Sequence, residues 1–245
     1  EIVDFYCYAR PKENTATNIK FKQFLVLNEN RLEGVDISEE KLKYILADIR
    51  LNNDFSRYQN DKDKNVLEAL GNIEMLDYVL STEDRIEVWK LSKLQKLLYK
   101  YTPFGSEMLF PRQSNNIING AEVSTVDYKL VPQELIKVGD SINDLIKNKE
   151  TLTLHEYILE ALKIHHRLTV IHPLEDGNGR CCRGILLWLL RLKNIPPIYI
   201  KLEDKPRYID ALNKIDTKKD YDYLELFILE QIIHSMVIFD EKLEL

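Results

Sequence analysis

The chain has 245 residues, of which 44% are hydrophobic and 30% are charged, and its formal net charge is −6. This balance is typical of a globular protein, and the length allows one large domain or one domain with a small N-terminal addition. The acidic charge argues against direct nucleic-acid binding, which needs a basic surface, and no apolar run is long enough to span a bilayer.

The cysteines indicate the compartment. There are three of them, Cys7, Cys181 and Cys182, and an odd number with two adjacent members does not form a disulfide framework. No charged-then-apolar leader with a cleavage site is recognisable. We therefore expect a cytoplasmic protein, and the start at Glu1 leaves open whether the natural N-terminus is present.

Near the N-terminus, the stretch Glu29–Ser38 contains signals for the end of one helix and the start of the next. Gly34 suits the position just after a helix, where a left-handed backbone is common. Ser38 suits an N-cap, and Glu39 and Glu40 would lie in the first turn that follows. By itself the stretch therefore predicts a plain joint between two helices.

Apolar residues recur at helical spacing along most of the chain, which predicts an all-α fold. Pro132 suits the first turn of one helix and Thr153 the cap of another. The helix at 180–192 is apolar nearly all round, so we expect it to be buried at the centre. The predicted helices are 39–50, 65–80, 85–101, 132–147, 153–170, 180–192, 205–215 and 221–239.

The exception to the helical pattern is the segment 103–131, which is rich in proline, glycine and asparagine and predicts turns and short strands. Asn119 and Gly120 lie between two short apolar runs, which is the signal for a tight hairpin turn. The segment predicts a small β-hairpin, and taken alone it could be an ordinary surface hairpin.

Residues 172–183 hold more chemically useful side chains than any other stretch of this length. A candidate base, a candidate metal ligand, two glycines around an asparagine and two arginines stand directly before the apolar helix. In chain order these are His172, Asp176, Gly177, Asn178, Gly179, Arg180 and Arg183.

Each residue type in this stretch suits one part of phosphate chemistry. Glycines at a helix N-terminus expose backbone N–H groups, and the helix dipole favours an anion there. Arginines donate bidentate hydrogen bonds to phosphate, a carboxylate can hold Mg²⁺, and a histidine accepts a proton near neutral pH. Singly, each feature has a plainer interpretation as a turn, a helix end or a solvated helix face.

The stretch resembles the signature of Fic-domain proteins, His-x-Phe-x-(Asp/Glu)-Gly-Asn-Gly-Arg-x-x-Arg. Only Leu174 departs from it, where the family prefers Phe, and an apolar replacement should be tolerated with repacking. The resemblance spans roughly residues 60–236. It implies an all-α Fic-type domain at 59–245 with a small β-hairpin flap, preceded by an N-terminal segment, 1–58, with an inhibitory helix.

Similar Fic proteins transfer AMP from ATP to a Tyr, Thr or Ser hydroxyl of a target protein. By this resemblance, His172 would deprotonate the hydroxyl and Asp176 would hold Mg²⁺ between the α- and β-phosphates. Relatives that phosphorylate instead carry a bulkier, basic residue at the position of Gly179, so the glycine favours AMP transfer.

The same resemblance assigns the remaining residues of the motif. Asn178 and the N–H groups around Gly177 and Gly179 would hold the α-phosphate, while Arg180 and Arg183 would hold the outer phosphates. His172 apart, we assign Asn178 and Arg180 to catalysis. Phosphoryl-centred transfer depends mostly on positioning and electrostatic stabilisation, which such donors provide.

Many Fic proteins carry an inhibitory helix with the pattern (Ser/Thr)-x-x-x-Glu-(Gly/Asn). Glu33 and Gly34 fit it, but Glu29 stands in the Ser/Thr position, so the match is partial. The resemblance implies that Glu33 reaches Arg183 and occupies the γ-phosphate position, which would restrain the enzyme.

The resemblance also places Ile117, Ile118 and Asn119 at the flap edge, where the target backbone would add as a strand. Two rival functions stay open: removal of AMP with Glu33 orienting a water, and nucleotide sensing without catalysis, against which the intact His172 argues. The target, its acceptor residue and the oligomeric state are not given by the sequence, which leaves a homodimer open.

Overall fold

The computed structural model describes residues 15–52, 54–118 and 124–239, and within them it consists of nine α-helices, three short 3-10 helices and no strand. This confirms the all-α class. The helices are α1 (Thr15–Leu32), α2 (Glu39–Asn52), α3 (Lys64–Ser81), α4 (Lys90–Leu98), α5 (Val131–Asn148), α6 (Leu154–Ile171), α7 (Asn178–Leu192), α8 (Lys205–Lys218) and α9 (Asp222–Phe239).

Helix α7 lies at the centre of the molecule, as its apolar sequence predicts. It packs against α3, α4 and α6, and Trp188, Leu189 and Leu190 are fully buried. Burying such side chains stabilises the fold by about 1.5–3 kcal/mol each. The N-terminus of α7 is thereby held on a rigid support. None of the described helices combines the length and the apolar character needed to cross a membrane.

Helix α1 belongs to the same hydrophobic core. It packs against α2, α3 and α9, with Phe21, Leu25 and Leu32 buried. A buried amide contact also joins α1 to α3, in which Asn72 Nδ2 donates to Asn30 Oδ1 at 3.0 Å. Within the described residues, the core is continuous across residue 58 and shows no break between the two predicted segments. The boundary between 1–58 and 59–245 stays a prediction.

Helix α4 is shorter than the sequence suggests. The apolar spacing predicts a helix over 85–101, but the helix begins at Lys90 and ends at Leu98. Ile86 and Val88 are both buried while their neighbours are exposed, which is the two-residue repeat of extended backbone. The predicted bounds are therefore wrong at both ends, since Ile86 and Val88 reach the core before the helix begins and only turns follow Leu98.

The segment between α4 and α5 is irregular, as predicted, but its described part, 103–118 and 124–130, holds two short 3-10 helices, turns, bends and irregular backbone, with no strand. The predicted hairpin is not seen there. Its turn, at Asn119 and Gly120, lies outside the described residues. The two described arms meet where the Thr125 hydroxyl donates to the carbonyl of Asn116 at 2.7 Å.

A histidine is buried beside α7 with both ring nitrogens bonded. His165 is 1% exposed. Its Nδ1 lies 3.2 Å from the carbonyl oxygen of Cys182 and its Nε2 lies 2.6 Å from the hydroxyl of Tyr208. Since a carbonyl only accepts, Nδ1 carries the hydrogen and Nε2 accepts from the tyrosine. Burial lowers the pKa of His165 to about 3.

This shift makes stability depend on pH. The unfolded chain protonates this imidazole near 6.5 and the folded chain only near 3, so stability falls as pH falls through that window. Between pH 7.5 and 5.0 the native protein should lose about 2 kcal/mol from this group. Urea unfolding at pH 7.5 and 5.0 should show that His165→Gln removes this loss, while His155→Gln, which replaces an exposed histidine of α6, keeps it.

Candidate active site

The loop from α6 to α7 is built to a fixed shape. His172 closes α6 in the left-handed conformation, with φ 51° and ψ 58°. Asn178 then ties the loop to itself, since its Oδ1 accepts from the N–H of Leu174 and its Nδ2 donates to the carbonyl of Leu174, both at 2.8 Å. Leu174 is fully buried and anchors the loop. Asn178 thus shapes the loop, and its contact with an α-phosphate stays a prediction.

His172 is presented as a neutral base. Its Nδ1 lies 3.3 Å from the carbonyl oxygen of Thr169, which can only accept, so Nδ1 carries the hydrogen and Nε2 keeps a lone pair. Burial lowers the pKa of His172 and outweighs the bond to Thr169, which acts in the opposite direction, while the charge of Arg112 lowers it further. An imidazole that is neutral at pH 7 can accept a proton from a hydroxyl.

A buried arginine holds this loop in place. Arg112 is 1% exposed, and its Nε donates to the carbonyl of His172 at 2.7 Å. Its Nη2 donates to the carbonyls of Ile171 and Val126, and its backbone N–H donates to the carbonyl of Pro173 at 2.9 Å. The segment before α5 is thus bonded to the backbone on both sides of the candidate base.

Glycine is required where the loop enters α7. Gly177 has φ 79°, and a Cβ there would lie 2.7 Å from Leu98 Cδ2 and 2.9 Å from Tyr99 Cε2. An L-residue would meet both backbone strain and a clash with α4.

Gly177→Ala should therefore lower the free energy of unfolding by about 2–5 kcal/mol, the sum of backbone strain and overpacking. Gly34→Ala is the matched control, because Gly34 has φ 77° but a Cβ added there would meet no atom within 4 Å. It isolates the backbone strain and should cost only about 1–2 kcal/mol. Equal losses in urea unfolding would show that the contact with α4 is unimportant.

Asp176 lies exposed at the mouth of the loop. Its Oδ1 accepts from the N–H of Gly177 at 2.7 Å, and its carbonyl accepts from Gln95 Nε2 at 3.2 Å. In the described ranges no group of three or more His, Cys, Asp or Glu side chains could hold a metal ion. A lone carboxylate fits Mg²⁺ that keeps its waters and takes its other ligands from substrate phosphates.

The two arginines of the motif point to different places. Arg180 is 3% exposed, and its Nη2 donates to the Tyr99 hydroxyl at 3.0 Å and to Glu68 Oε2 at 3.2 Å. Only Arg183 lines the cavity in this structure, and the expectation that Arg180 and Arg183 together hold the outer phosphates stays a prediction. The difference between the two arginines is tertiary in origin, because α3 and the residue that follows α4 supply partners for Arg180 on their own side of α7.

Arg183 is bonded by two carboxylates at the C-terminal end of α1. Its Nη2 donates to Glu33 Oε1 at 2.6 Å, and its Nε lies 2.9 Å from both carboxylate oxygens of Glu29. The expected contact between Glu33 and Arg183 is present. Burial raises the pKa of Glu29 against the attraction of Arg183. For Glu33 burial also opposes ionisation, but Arg183 and two further cations outweigh it and lower the pKa.

Glu33 lies against the N-terminus of α7. A Cβ on Gly179 would lie only 2.3 Å from Glu33 Oε1, so the carboxylate is seated directly over the glycine backbone. A helix N-terminus attracts an anion, and here a side chain provides it. Lys205 holds the segment from α8, since its Nζ donates to the carbonyl of Leu32 at the end of α1.

These groups surround an open cavity of about 520 Å³, within the range of about 300–1,000 Å³ that small-molecule sites occupy. Ile117 and Ile118 are part of its lining, and Ile117 is 87% exposed, whereas Asn119 lies outside the described residues. The polar and glycine lining consists chiefly of Glu33, His172, Asp176, Gly177, Asn178, Gly179, Arg183, Lys205 and Tyr208.

Residues 84–190 match the family model described as the Fic/DOC family. The chain therefore contains a Fic domain. It is 35% identical over 83 residues to "Protein adenylyltransferase Fic" of Nematostella vectensis, a match that covers 34% of this chain and 19% of that protein. The chain spans about a fifth of the length of the curated relatives it matches.

Two solved structures show the same fold. A Fic domain containing signaling protein from Bacteroides thetaiotaomicron has a TM-score of 0.76 at 21% identity, covering 96% of this chain and 94% of that one. The Bartonella tribocorum effector protein BepC, solved with bound AMPPNP, has a TM-score of 0.54 at 17% identity and covers 69% of this chain and 88% of that one.

The Fic-domain match contains the loop, the candidate base and both arginines, but it does not contain every residue that lines the cavity or bonds Arg183. Glu29 and Glu33 lie before residue 84, at the end of α1, and Lys205 lies after residue 190, on α8. One side of the cavity is thus formed by elements from outside the matched range, and these elements share the continuous core with the Fic domain.

Sequence reasoning missed three residues at the site. Arg112 lies in a segment whose sequence is typical of a surface turn, and nothing local marks it as buried. Lys205 has the sequence context of an ordinary residue at a helix start. Glu29 gives a signal, since it departs from the Ser/Thr of the family pattern, but the departure suggests a weaker match and not a second partner for Arg183.

Proposed function

We propose that this Fic-domain protein is an ATP- and Mg²⁺-dependent protein adenylyltransferase that Glu33 holds in check. It moves AMP from ATP to a Tyr, Thr or Ser hydroxyl of a target protein. The observation that carries the proposal is that one cavity joins a neutral His172, the N-terminus of α7 and Arg183. The curated relatives bear the name protein adenylyltransferase, and that activity is extended here to a chain that spans about a fifth of their length.

The chemistry requires a base, an anion site and a leaving group. His172 Nε2 takes the proton of the target hydroxyl, whose oxygen attacks the α-phosphorus. The bond from that phosphorus to the bridging oxygen breaks, and pyrophosphate leaves with the electron pair. The backbone N–H groups of the first turn of α7 face the phosphates, and Arg183 takes the outer ones. Asp176 would hold Mg²⁺, whose charge offsets that of the phosphates.

Restraint follows from the position of Glu33. Its carboxylate accepts a hydrogen bond from Arg183 Nη2 and covers Gly179, and it therefore fills the place where an outer phosphate would otherwise bind. Separating such a partly buried pair costs about 2–5 kcal/mol, so ATP is excluded or misplaced until Glu33 moves away. Because the pKa of Glu33 is lowered, its carboxylate is charged at neutral pH and the restraint is present there.

The target would approach along the segment before α5. Ile117 and Ile118 lie at the rim of the cavity, and an extended backbone there can pair with a target strand beside the acceptor hydroxyl. We extend this edge to Asn119 on the family resemblance alone. Cys181 and Cys182 are buried free thiols, which is consistent with our placing the protein in the cytoplasm.

Intact-mass spectrometry tests the reaction. The native chain, Glu33→Gly and Glu33→Gly/His172→Ala are each incubated with ATP and Mg²⁺, with and without a cell extract whose proteins are monitored by labelled ATP. We expect AMP additions, on the chain itself or on an extract protein, with Glu33→Gly and not with the double variant. Transfer that persists without His172 would contradict its role as the base.

One observation supports a second candidate, the removal of AMP from a modified protein. Glu33 is ionised inside the cavity near His172, so it could orient a water for attack on the modified phosphate. Incubation of the native chain and Glu33→Gln with an AMP-modified protein separates the two reactions. Loss of AMP with the native chain alone would favour removal.

A further inference from the structure

Arg183 carries two carboxylates that differ in depth. The side chain of Glu33 is 30% exposed, whereas that of Glu29 is 3% exposed. Glu33 bonds Nη2, at the end of the guanidinium that faces the cavity, and Glu29 bonds Nε, on the inner edge. Movement of Glu33 would therefore leave Glu29 in place on the same arginine.

The charges at this end of the cavity then limit phosphate binding. Both carboxylate oxygens of Glu29 lie 2.9 Å from Arg183 Nε, which is the geometry of an ionised carboxylate paired with a guanidinium. With Glu33 gone, the charges of Arg183 and Glu29 therefore still cancel. Arg180 bonds Glu68 through Nη2 and does not line the cavity, so it offers no direct contact to a phosphate there, although its charge acts on Glu29 and Glu33. Among the described residues that line the cavity, Lys205 is the remaining cation, and its Nζ is bonded to the carbonyl of Leu32. A polyphosphate arriving here meets an arginine whose charge is already balanced.

We propose that Glu29 is a second acidic restraint on Arg183, which lowers affinity for the outer phosphates of the nucleotide by charge, without occupying their place. This rests on the proposed function. Glu33 blocks a position and can move out of it, whereas Glu29 is buried and sets how tightly the phosphates bind after Glu33 has moved. It also keeps the buried guanidinium paired in that state, where a lone charge would be costly.

A purely structural partner would affect stability and leave phosphate affinity alone. Glu29→Gln retains the size of the side chain and an oxygen that can accept from Arg183 Nε, but it removes the negative charge. Calorimetry would compare Glu33→Gly with Glu29→Gln/Glu33→Gly, using MgATP, tripolyphosphate and adenosine as ligands. We expect MgATP and tripolyphosphate to bind about tenfold more tightly to the double variant, and adenosine to bind equally to both.

The matched control is Glu175→Gln/Glu33→Gly. Glu175 lines the same cavity but is exposed, and its Oε2 accepts from the N–H of Leu109, so it does not touch Arg183. Removing its screened charge should change MgATP affinity by about twofold at most.

Equal or weaker tripolyphosphate binding by a folded Glu29→Gln/Glu33→Gly protein would overturn the inference. If that variant fails to fold, Glu29→Gln alone keeps Glu33 as a partner for Arg183, and it must bind tripolyphosphate more tightly than the native chain. If MgATP binds to no variant, the proposed function fails, and tripolyphosphate still tests whether Glu29 weakens an anion site at Arg183.

Discussion

Replacing Glu33 with glycine should raise the initial rate of AMP incorporation at limiting ATP by about 30-fold or more. In the native chain Glu33 Oε1 lies 2.6 Å from Arg183 Nη2 and covers Gly179 at the N-terminus of α7. Removing the side chain opens the place of an outer phosphate. Folding should be retained, since Arg183 keeps its bond to Glu29.

The measurement is the rate of label transfer from α-labelled ATP, together with the shift in Tm that MgATP produces. Glu33→Gln should give an intermediate rate, because the amide fills the same space without the charge. The matched control is Glu39→Gln, which replaces a partly exposed glutamate in the first turn of α2 that does not line the cavity. Equal rates for native protein, Glu33→Gly and Glu39→Gln would remove the case for restraint by Glu33.

The central part of the fold could be predicted from the sequence because local signals and the global arrangement agree there. The helix after Gly177 is apolar on every side, and such a helix is stable only when it is buried. Thr153 forms the predicted cap, with reciprocal bonds to Glu156. The shape of the loop between α6 and α7 could be predicted from its glycines, since glycine adopts the φ of 79° found at Gly177 without the strain that other residues would meet.

The remainder depends on contacts between residues distant in sequence. Arg112 is buried only because four backbone carbonyls converge on it, and no pattern of neighbouring residues encodes that. Val88 fits the helical repeat that continues through Leu91 and Leu94 as well as the extended repeat with Ile86, and so short a stretch cannot separate the two. Arg180 and Arg183 are three residues apart, but α3 and α1 supply separate carboxylates that draw them apart.

Glu29 shows how a family pattern can hide a property of one chain. At the Ser/Thr position of the inhibitory motif, a glutamate counts as a mismatch. In the structure it is 2% exposed and bonded through both oxygens to Arg183 Nε. A carboxylate can be buried so deeply only beside a paired cation, so the substitution and the ion pair explain each other.

The other large effect belongs to the candidate base. In the Glu33→Gly background, His172→Ala should lower the rate of AMP transfer by about 10²–10⁴-fold, the usual contribution of a general base. Affinity for MgATP should stay the same, since the phosphates are expected to contact the first turn of α7 and Arg183. The rate is measured with saturating MgATP, and affinity separately by calorimetry. His155→Ala, which removes an exposed histidine of α6, is the matched control.

The pH profile separates a base from a residue that only shapes the loop. Burial lowers the pKa of His172, so the neutral imidazole persists below pH 6.5 and the rate should fall only at more acidic pH. Loss of the base should remove this acidic limb together with most of the rate. If His172→Ala is slower at every pH but keeps the acidic limb of the profile, the titration belongs to another group. The proton of the hydroxyl would then leave by another route.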